Sequence, residues 1–254
     1  ILDTGVFSGF ATRYVAGTWQ VPSPIESVAA NTVDDVHIGV SASGRATAIW
    51  NQGDGTFLRV QSNQSDDGGN WSATAQVIDG GAFSTHARVG VGANGHVVAV
   101  WGQRVGSDDR LFARRHTGSG WSAPQEIPLG AGALLLPPAV AVDANGNAIC
   151  VISQNSPTTA IVRAVHLDAS TGSWSASQQI GTGINPKVAV GASGHFVATW
   201  TELNQRVAMT RFTAGMAGEV QLVQAENTPA GSYPKVGVDA LGGHLGGERL
   251  EGRA

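Results

Sequence analysis

The chain has 254 residues, of which 42% are hydrophobic and 13% are charged, and it contains 35 glycines. Soluble proteins average about 25% charged residues and about 7% glycine, so this composition is typical of a folded chain with many turns and excludes a disordered one. The formal net charge of −4 excludes the basic surface that binds a nucleic-acid backbone, so we expect no nucleic-acid partner.

Two strands are predicted at the amino end, over residues 6–10 and 18–25, before a longer pattern begins. This pattern occurs four times at intervals of about 50 residues, which indicates a fold built from repeated units. Its copies are VHIGVSASGRATAIWNQ from Val36, ARVGVGANGHVVAVWGQ from Ala87, PAVAVDANGNAICVISQ from Pro138 and PKVAVGASGHFVATWTE from Pro186. A fifth copy opens at Pro234 and then loses the pattern.

Each copy predicts four strands bounded by turns. The first strand alternates around a small residue and ends in a turn such as Ser-Ala-Ser-Gly or Ala-Asn-Gly, after which the second strand follows directly. A short third run precedes the fourth strand, which opens with a Trp-Ser pair such as Trp71-Ser72. The small residues of the first strands are Gly39, Gly90, Ala141, Ala189 and Gly237. We expect small side chains there because the innermost strands crowd around a central channel.

The repeats predict one all-β domain over residues 1–254, a five-bladed β-propeller of four-stranded antiparallel blades. Four blades correspond approximately to residues 36–79, 87–128, 138–181 and 186–224. The fifth blade is composed from both termini, residues 1–25 with 234–248, which closes the ring without a free edge. The glycine-rich end, GGHLGGERLEGRA, provides no clear second strand for this blade, and a larger, truncated ring is the alternative.

The Ala-x-Trp end of the second strand and the segment Thr171–Ser175 (TGSWS) resemble the repeats of bacterial sialidase-like propellers and propeller lectins. The segment Ser65–Trp71 (SDDGGNW) resembles a shortened Asp-box, which in that superfamily is a structural turn on the face away from the site. The resemblance extends from Val6 to Asp239, and the length and period are similar to those of five-bladed, tachylectin-like lectins, which have one sugar site per blade. It implies the propeller fold and a carbohydrate ligand, and it does not imply catalysis.

Two columns of the repeat predict a carbohydrate site. A flat aromatic ring stacks on the apolar face of a sugar, while a neighbouring amide or carboxylate forms hydrogen bonds with its hydroxyls. The aromatic column is Trp50, Trp101 and Trp200, and the polar column two residues later is Gln52, Gln103, Gln154 and Glu202. The alternative is that the tryptophans pack between blades and the amides cap loops.

A third column is mostly basic, and we expect it near the mouth of the channel. Its members are His37, Arg88, Ala139, Lys187 and Lys235. A ring that contains Arg88, Lys187 and Lys235 attracts an anionic ligand such as a uronic acid or a sulfated sugar, or else these side chains are solvated strand ends.

The remaining reactive side chains give no sign of chemistry. His86 is a lone loop histidine, so we expect neither a metal ion nor a cofactor. Cys150 is the one cysteine, and it lies in a column with Ala48, Ala99 and Ala198, so we expect a small buried residue there.

We therefore expect a protein that binds a glycan without turning it over. The chain begins at Ile1 without a methionine, which indicates a processed product, and we expect a bacterial protein that is secreted or at the cell surface. No apolar run reaches the length of about 18 residues that a membrane span requires.

Two other functions are open. A glycoside hydrolase or lyase of the sialidase-like superfamily needs paired carboxylates about 5–9.5 Å apart. The candidate acids are Asp34, Asp35, Asp54, Asp79, Asp108, Asp109, Glu202 and Glu226. A protein-interaction scaffold would instead use loops such as Ala131–Pro138 (AGALLLPP), whose leucines would form a partner or homo-oligomer surface if they are exposed.

Overall fold

The computed structural model describes residues 6–27, 31–129, 134–155, 159–223, 234–238 and 244–247. All regular secondary structure in these ranges is β-strand, which confirms the predicted all-β class. None of the described residues belongs to a helix long and apolar enough to cross a membrane.

The amino end forms four very short strands. These are β1 (Phe10–Ala11), β2 (Tyr14–Val15), β3 (Thr18–Trp19) and β4 (Ser23–Pro24). β1 pairs with β4 and β2 pairs with β3, so the segment is a narrow antiparallel hairpin.

Four antiparallel sheets follow in chain order, and we call them blades 1 to 4. Blade 1 contains β5 (Val33–Val40), β6 (Ala46–Gly53), β7 (Leu58–Gln64) and β8 (Gln76–Val77). Blade 2 contains β9 (Ser84–Val91), β10 (Val97–Val105), β11 (Asp108–His116) and β12 (Gln125–Glu126). The order of strands within each of these two sheets is the order in the sequence, as the repeats predict.

Blades 3 and 4 contain additional short strands. Blade 3 contains β13 (Leu134–Leu135), β14 (Ala139–Val142), β15 (Ala148–Asn155), β16 (Ala160–Asp168), β17 (Ser173–Trp174) and β18 (Gln178–Thr182). Blade 4 contains β19 (Ile184–Val190), β20 (Phe196–Thr201), β21 (Val207–Thr213), β22 (Met216–Ala217) and β23 (Gln221–Leu222). In both blades the predicted fourth strand is divided into two pieces, and each piece pairs with the third strand. A final hairpin of β24 (Lys235–Val238) and β25 (His244–Gly247) packs against blade 4.

The first strands of successive blades contact one another in the order β5, β9, β14, β19 and β24, so they lie next to one another along one common axis. A Cβ atom added to Gly39 would lie 3.0 Å from Cβ of Val91, and one added to Gly90 would lie 2.8 Å from Cγ2 of Val142. Gly39 and Gly90 are therefore required by the valines of the next blade, which occupy the space that a larger side chain would need.

The tryptophans of the second strands fill the junctions between blades. Trp50, Trp101 and Trp200 are each 0% exposed. Trp101 packs with Ile49 and Val60 of blade 1, and its ring stacks on Phe112 with the ring centroids 6.3 Å apart. Ile152 takes the same place in the core between blades 2 and 3.

The amino-terminal hairpin contacts blade 1 in the way that the third strand of blade 2 contacts blade 3. Arg13 donates to the backbone oxygens of Gly44 and Asp67 in blade 1, in both cases at 2.9 Å. Arg115 of blade 2 makes the same kind of contact with Ala169 of blade 3, at 3.3 Å. Among the described strands no hydrogen-bonded pairing joins this hairpin to β24 and β25, so the structure shows four blades and two partial sheets.

We predict that Trp101→Ala lowers the free energy of unfolding by about 3–5 kcal/mol, because it leaves a cavity in a closed junction. Trp19→Ala is the matched control, since this ring is 66% exposed, and we expect a loss of less than about 1 kcal/mol there. Urea unfolding monitored by circular dichroism measures both, and equal losses would contradict the packing role of Trp101.

Candidate functional site

A β-bulge recurs where the first strands begin. The register of pairing shifts between Asp34 and His37 in blade 1, between Thr85 and Arg88 in blade 2, and between Ile184 and Lys187 in blade 4. Inside these bulges three residues adopt the left-handed backbone region, with φ of 53° at Asp35, 56° at His86 and 56° at Asn185. Asp, His and Asn tolerate this conformation better than most residues, and bulges redirect side chains near functional sites.

The bulges bring charged side chains of different blades together at one end of the axis, which we call the mouth. Nη1 of Arg88 lies 2.6 Å from Oδ2 of Asp35, and Nε2 of His37 lies 3.1 Å from Oδ1 of the same carboxylate. Burial alone raises the pKa of Asp35, but the hydrogen bonds from His37 and Arg88 outweigh it and lower that pKa to about 2. Asp35 therefore carries a full negative charge at neutral pH and fixes the position of Arg88.

Two further basic groups lie close to this pair. Burial and the positive charge of Arg88 lower the pKa of His86, so its imidazole favours the neutral form at neutral pH. Partial burial and repulsion from Arg88 lower the pKa of Lys187, and Asp35 opposes this shift. No ion pair among the described residues includes Lys187. We call Asp35, His37, His86, Arg88 and Lys187 the mouth cluster.

The basic column is thus assembled only in part. Blade 3 has Ala139 in this column, and Pro137 stands where the left-handed residue would be, which proline cannot supply because its φ is fixed near −65°. Lys235 is exposed at the beginning of β24, and no contact to the mouth cluster places it there. Arg88 and Lys187 are the two predicted residues that the structure brings together.

The tryptophan and amide columns lie elsewhere. Trp50 and Trp101 donate their indole N–H groups to Gln52 and Gln103, at 3.2 and 3.1 Å. Trp200, which is followed by Glu202 instead of a glutamine, has no hydrogen-bond partner for its indole nitrogen within the described residues. Rings without exposed surface cannot stack on a sugar, so the expected stacking role of Trp50, Trp101 and Trp200 gives way to blade packing.

The amides are structural for the same reason. Gln52 also donates to Oε2 of Glu26 and to the backbone oxygen of Asn31, both at 2.8 Å, and this ties the amino-terminal hairpin to blade 1. Gln103 accepts from the backbone N–H of Gly80 at 3.3 Å, so it holds the loop between blades 1 and 2. Gln154 is buried, whereas Glu202 is half-buried at a turn. Gln52 and Gln103 therefore hold loops, as the alternative interpretation of the amide column expected.

Most candidate acids are paired with arginine. Arg59 contacts Asp79 at 2.6 Å and Asp54 at 2.9 Å, and Arg104 contacts Asp109 at 2.6 Å. Backbone N–H groups of Phe57 and Thr56, together with Arg59, lower the pKa of Asp54 to about 2. Asp108 lies 3.8 Å from Arg110, Asp34 accepts from the backbone N–H of Asp35, and Glu226 lies outside the described residues.

Five of the seven described candidate acids are thus paired with arginine, whereas Asp34 and Glu202 form no ion pair among the described residues. The same part of the chain holds no group of three His, Cys, Asp or Glu side chains able to bind a metal ion.

The segment that resembles an Asp-box is a tight turn between β7 and β8. Asp66 accepts from the backbone and side-chain N–H groups of Asn70, both at 2.9 Å, and Ser65 forms a bridge with Trp71. It belongs to the end of the blades opposite the mouth, so it contributes to the fold and not to the mouth cluster. The leucine-rich loop is described only from Leu134 onward, where β13 pairs with β15, and Leu136 is half-buried.

Asp35 and His86 are site residues whose role the sequence analysis missed. The signal was present, because a residue that tolerates the left-handed region stands two positions before each basic one in Asp35-Val36-His37, His86-Ala87-Arg88 and Asn185-Pro186-Lys187.

The fold is similar to those of several solved structures. A protein of unknown function from Dyadobacter fermentans superposes with a TM-score of 0.55 at 12% identity, covering 78% of this chain and 71% of that one. The polysaccharide lyase Uly1 has a TM-score of 0.54 at 12% identity, covering 82% of this chain and 52% of the lyase. The NanB sialidase of Streptococcus pneumoniae has a TM-score of 0.51 at 8% identity, covering 77% and 52%.

The chain thus spans about half the length of the lyase and sialidase chains. At these identities the likeness concerns the fold, and it supports an all-β, propeller-like architecture that glycan-active proteins share. No protein-family model and no curated protein matches the sequence.

We predict that Asp35→Asn lowers stability at neutral pH, and that the deficit disappears as the pH falls from about 4 to about 2. Because the folded-state pKa lies below the unfolded value of about 3.9, the stability that the charge contributes is present above that value and is lost as Asp35 takes up a proton. Asparagine keeps the left-handed conformation, so the substitution isolates the charge.

Urea unfolding of wild type and variant across this pH range measures the deficit. Asp34→Asn is the control, since that carboxylate makes no ion pair among the described residues. A deficit that stays constant down to pH 2 would contradict the role assigned to the charge.

Proposed function

We propose that the protein binds a carbohydrate that carries an acidic group, such as a uronic acid or a sulfated sugar, at the mouth cluster without turning it over. The observation that carries the proposal is that Asp35 holds Arg88 in place at 2.6 Å, and that Lys187 of blade 4 lies near enough for both charges to shift its pKa. The cluster therefore has an excess of positive charge in a chain whose formal net charge is −4. A carboxylate or sulfate that binds beside Lys187 and Arg88 attracts both side chains and offsets the repulsion between their positive charges.

The other members of the cluster suit the uncharged part of a sugar. A neutral imidazole at His86 offers one donor and one acceptor to hydroxyl groups. Asn185 holds the same left-handed position in blade 4, inside the bulge that precedes Lys187. A sugar that carries an acidic group and several hydroxyls matches this combination. The likeness to a polysaccharide lyase and a sialidase supports glycans as the ligand class.

Binding without turnover is proposed because five of the seven described candidate acids are held by arginines. The alternatives are a hydrolase or lyase of the sialidase-like type and a protein-interaction scaffold. Incubation of the protein with the ligand distinguishes an enzyme from a binding protein, since hydrolysis releases reducing ends and elimination releases an unsaturated sugar. A glycan array that gives no hit would favour a protein-interaction scaffold. As a protein that binds glycans, the chain is proposed to act outside the cell or at its surface.

The proposal also includes a closed ring of five blades. A cleft of about 730 Å³ lies between the amino-terminal hairpin and blade 1, and Ile38 and Val40 on its wall are exposed. The corresponding valines of blade 3, Val140 and Val142, pack in the core between blades 2 and 3. We propose that β24 and β25 fill this cleft as the inner strands of the composite blade.

Ring closure predicts that Ile38→Asp lowers the free energy of unfolding by about 2 kcal/mol or more, because closure would bury the new charge. Val21→Asp is the control, since Val21 is 89% exposed, and it is expected to change stability by less than about 0.5 kcal/mol. Chemical unfolding measures both, and an Ile38→Asp variant as stable as the wild type would contradict closure.

Binding predicts that Lys187→Ala and Arg88→Ala each weaken the affinity for an oligogalacturonate, a chain of uronic acids, by about 10-fold or more. Arg110→Ala is the matched control, because Arg110 lies among the exposed pairs with Asp108 and Glu126, and we expect less than about a 2-fold change. Isothermal titration calorimetry at low and high salt measures the affinities, with a neutral malto-oligosaccharide of equal length as the ligand control. Equal affinity of wild type and Lys187→Ala would refute the proposal.

A further inference from the structure

The opposite end of the blades shows a second repeated contact. At this end a side chain from the third strand of one blade covers a turn glycine of the next blade. Cβ atoms built on the glycines would lie 2.7 Å from Nη1 of Arg13 at Gly69, 2.5 Å from Nη2 of Arg115 at Gly172, and 2.5 Å from the ring of His166 at Gly215. Three junctions are closed in this way, those before blade 1, between blades 2 and 3, and between blades 3 and 4.

The junction between blades 1 and 2 differs. Gln64 occupies the position that corresponds to Arg13 and Arg115, and it turns inward to donate to Oγ1 of Thr47 at 3.2 Å. The turn glycines of blade 2, Gly95 and Gly118, consequently face open space, with no atom within 4 Å of a Cβ built on either. A cavity of about 300 Å³ remains between the two blades, which we call the junction crevice.

The walls of the junction crevice are polar. They include Ser43, Arg45, Asp67, Asn94, His96 and Thr117. Oγ of Ser43 donates to Asp67 at 3.1 Å, and Arg45 lies 3.9 Å from the same carboxylate, so one charge of each sign is present. Asn94 donates its Nδ2 to the backbone oxygen of Ala144 at 3.0 Å, which leaves its Oδ1 as an acceptor.

The geometry points to the junction crevice as a binding site for one neutral sugar residue. Its volume lies at the lower end of the range for small-molecule sites, about 300–1,000 Å³. Its mixed donors and acceptors match a ring of hydroxyl groups, and its balanced charges do not favour an anion. The site is separate from the mouth cluster and does not depend on the function proposed there. Among the four junctions that the structure describes, the one between blades 1 and 2 has it because its third-strand residue, Gln64, folds inward.

Saturation-transfer NMR with galactose and N-acetylglucosamine as probes, at millimolar concentration, tests the site. Gln64→Arg places at this junction the side chain that closes its neighbours, and we expect it to abolish the signal of the bound sugar. Gln64→Ala leaves the crevice open, and we expect the signal to persist. Arg45→Ala removes a donor from the wall and should weaken the signal at least 2-fold.

The variant Arg88→Ala with Lys187→Ala separates the two sites, because it should leave the neutral-sugar signal unchanged even if the mouth cluster proves inactive. The proposal is overturned if neither probe gives a signal with the wild type. It is also overturned if the signal is as strong in Gln64→Arg as in Gln64→Ala, which would place the sugar elsewhere.

Discussion

The close approach of neighbouring first strands is the constraint on which the rest of the structure depends. Gly39 and Gly90 have no side chain because Val91 and Val142 of the following blades occupy that space. This contact aligns each blade with the next around the axis, and the wider outer part of each junction is then filled by Trp50, Trp101, Ile152 or Trp200. The beginnings of the first strands meet at one end as a result, although they are distant in the sequence.

Charge at the mouth follows from the bulges at these strand beginnings. A non-glycine residue in the left-handed region costs of the order of 1–3 kcal/mol, which the surrounding sheet must offset. In return, each bulge sets a polar residue beside the axis, and Asp35 of blade 1 reaches Arg88 of blade 2. Blade 3 forms with Pro137 at the same position and no left-handed residue there, so the blades do not require this strained feature. We propose that it serves the binding site at the mouth.

Much of the fold was predictable because its strand and turn residues recur at a fixed interval in the sequence. The period, the small residue of the first strand and the turn glycines such as Gly146 predicted the sheets of blades 1 to 4, and Cys150 is buried as its column indicated. The site was less predictable because a repeated tryptophan is compatible with packing and with sugar binding, and periodicity does not distinguish them. The complete burial of Trp101 favours packing, and this burial depends on Ile49 and Val60 of the neighbouring blade. The pairing of Asp35 with Arg88 joins residues 53 positions apart, which no local pattern encodes.

Recognition of an acidic sugar by the mouth cluster can be located by NMR. Amide chemical shifts of ¹⁵N-labelled protein titrated with an oligogalacturonate report where the ligand lies. We expect saturable shifts at His86, Arg88 and Lys187, and their loss at high salt as the charges are screened. Shifts confined to the opposite end of the blades, or shifts at the mouth that high salt leaves unchanged, would contradict it.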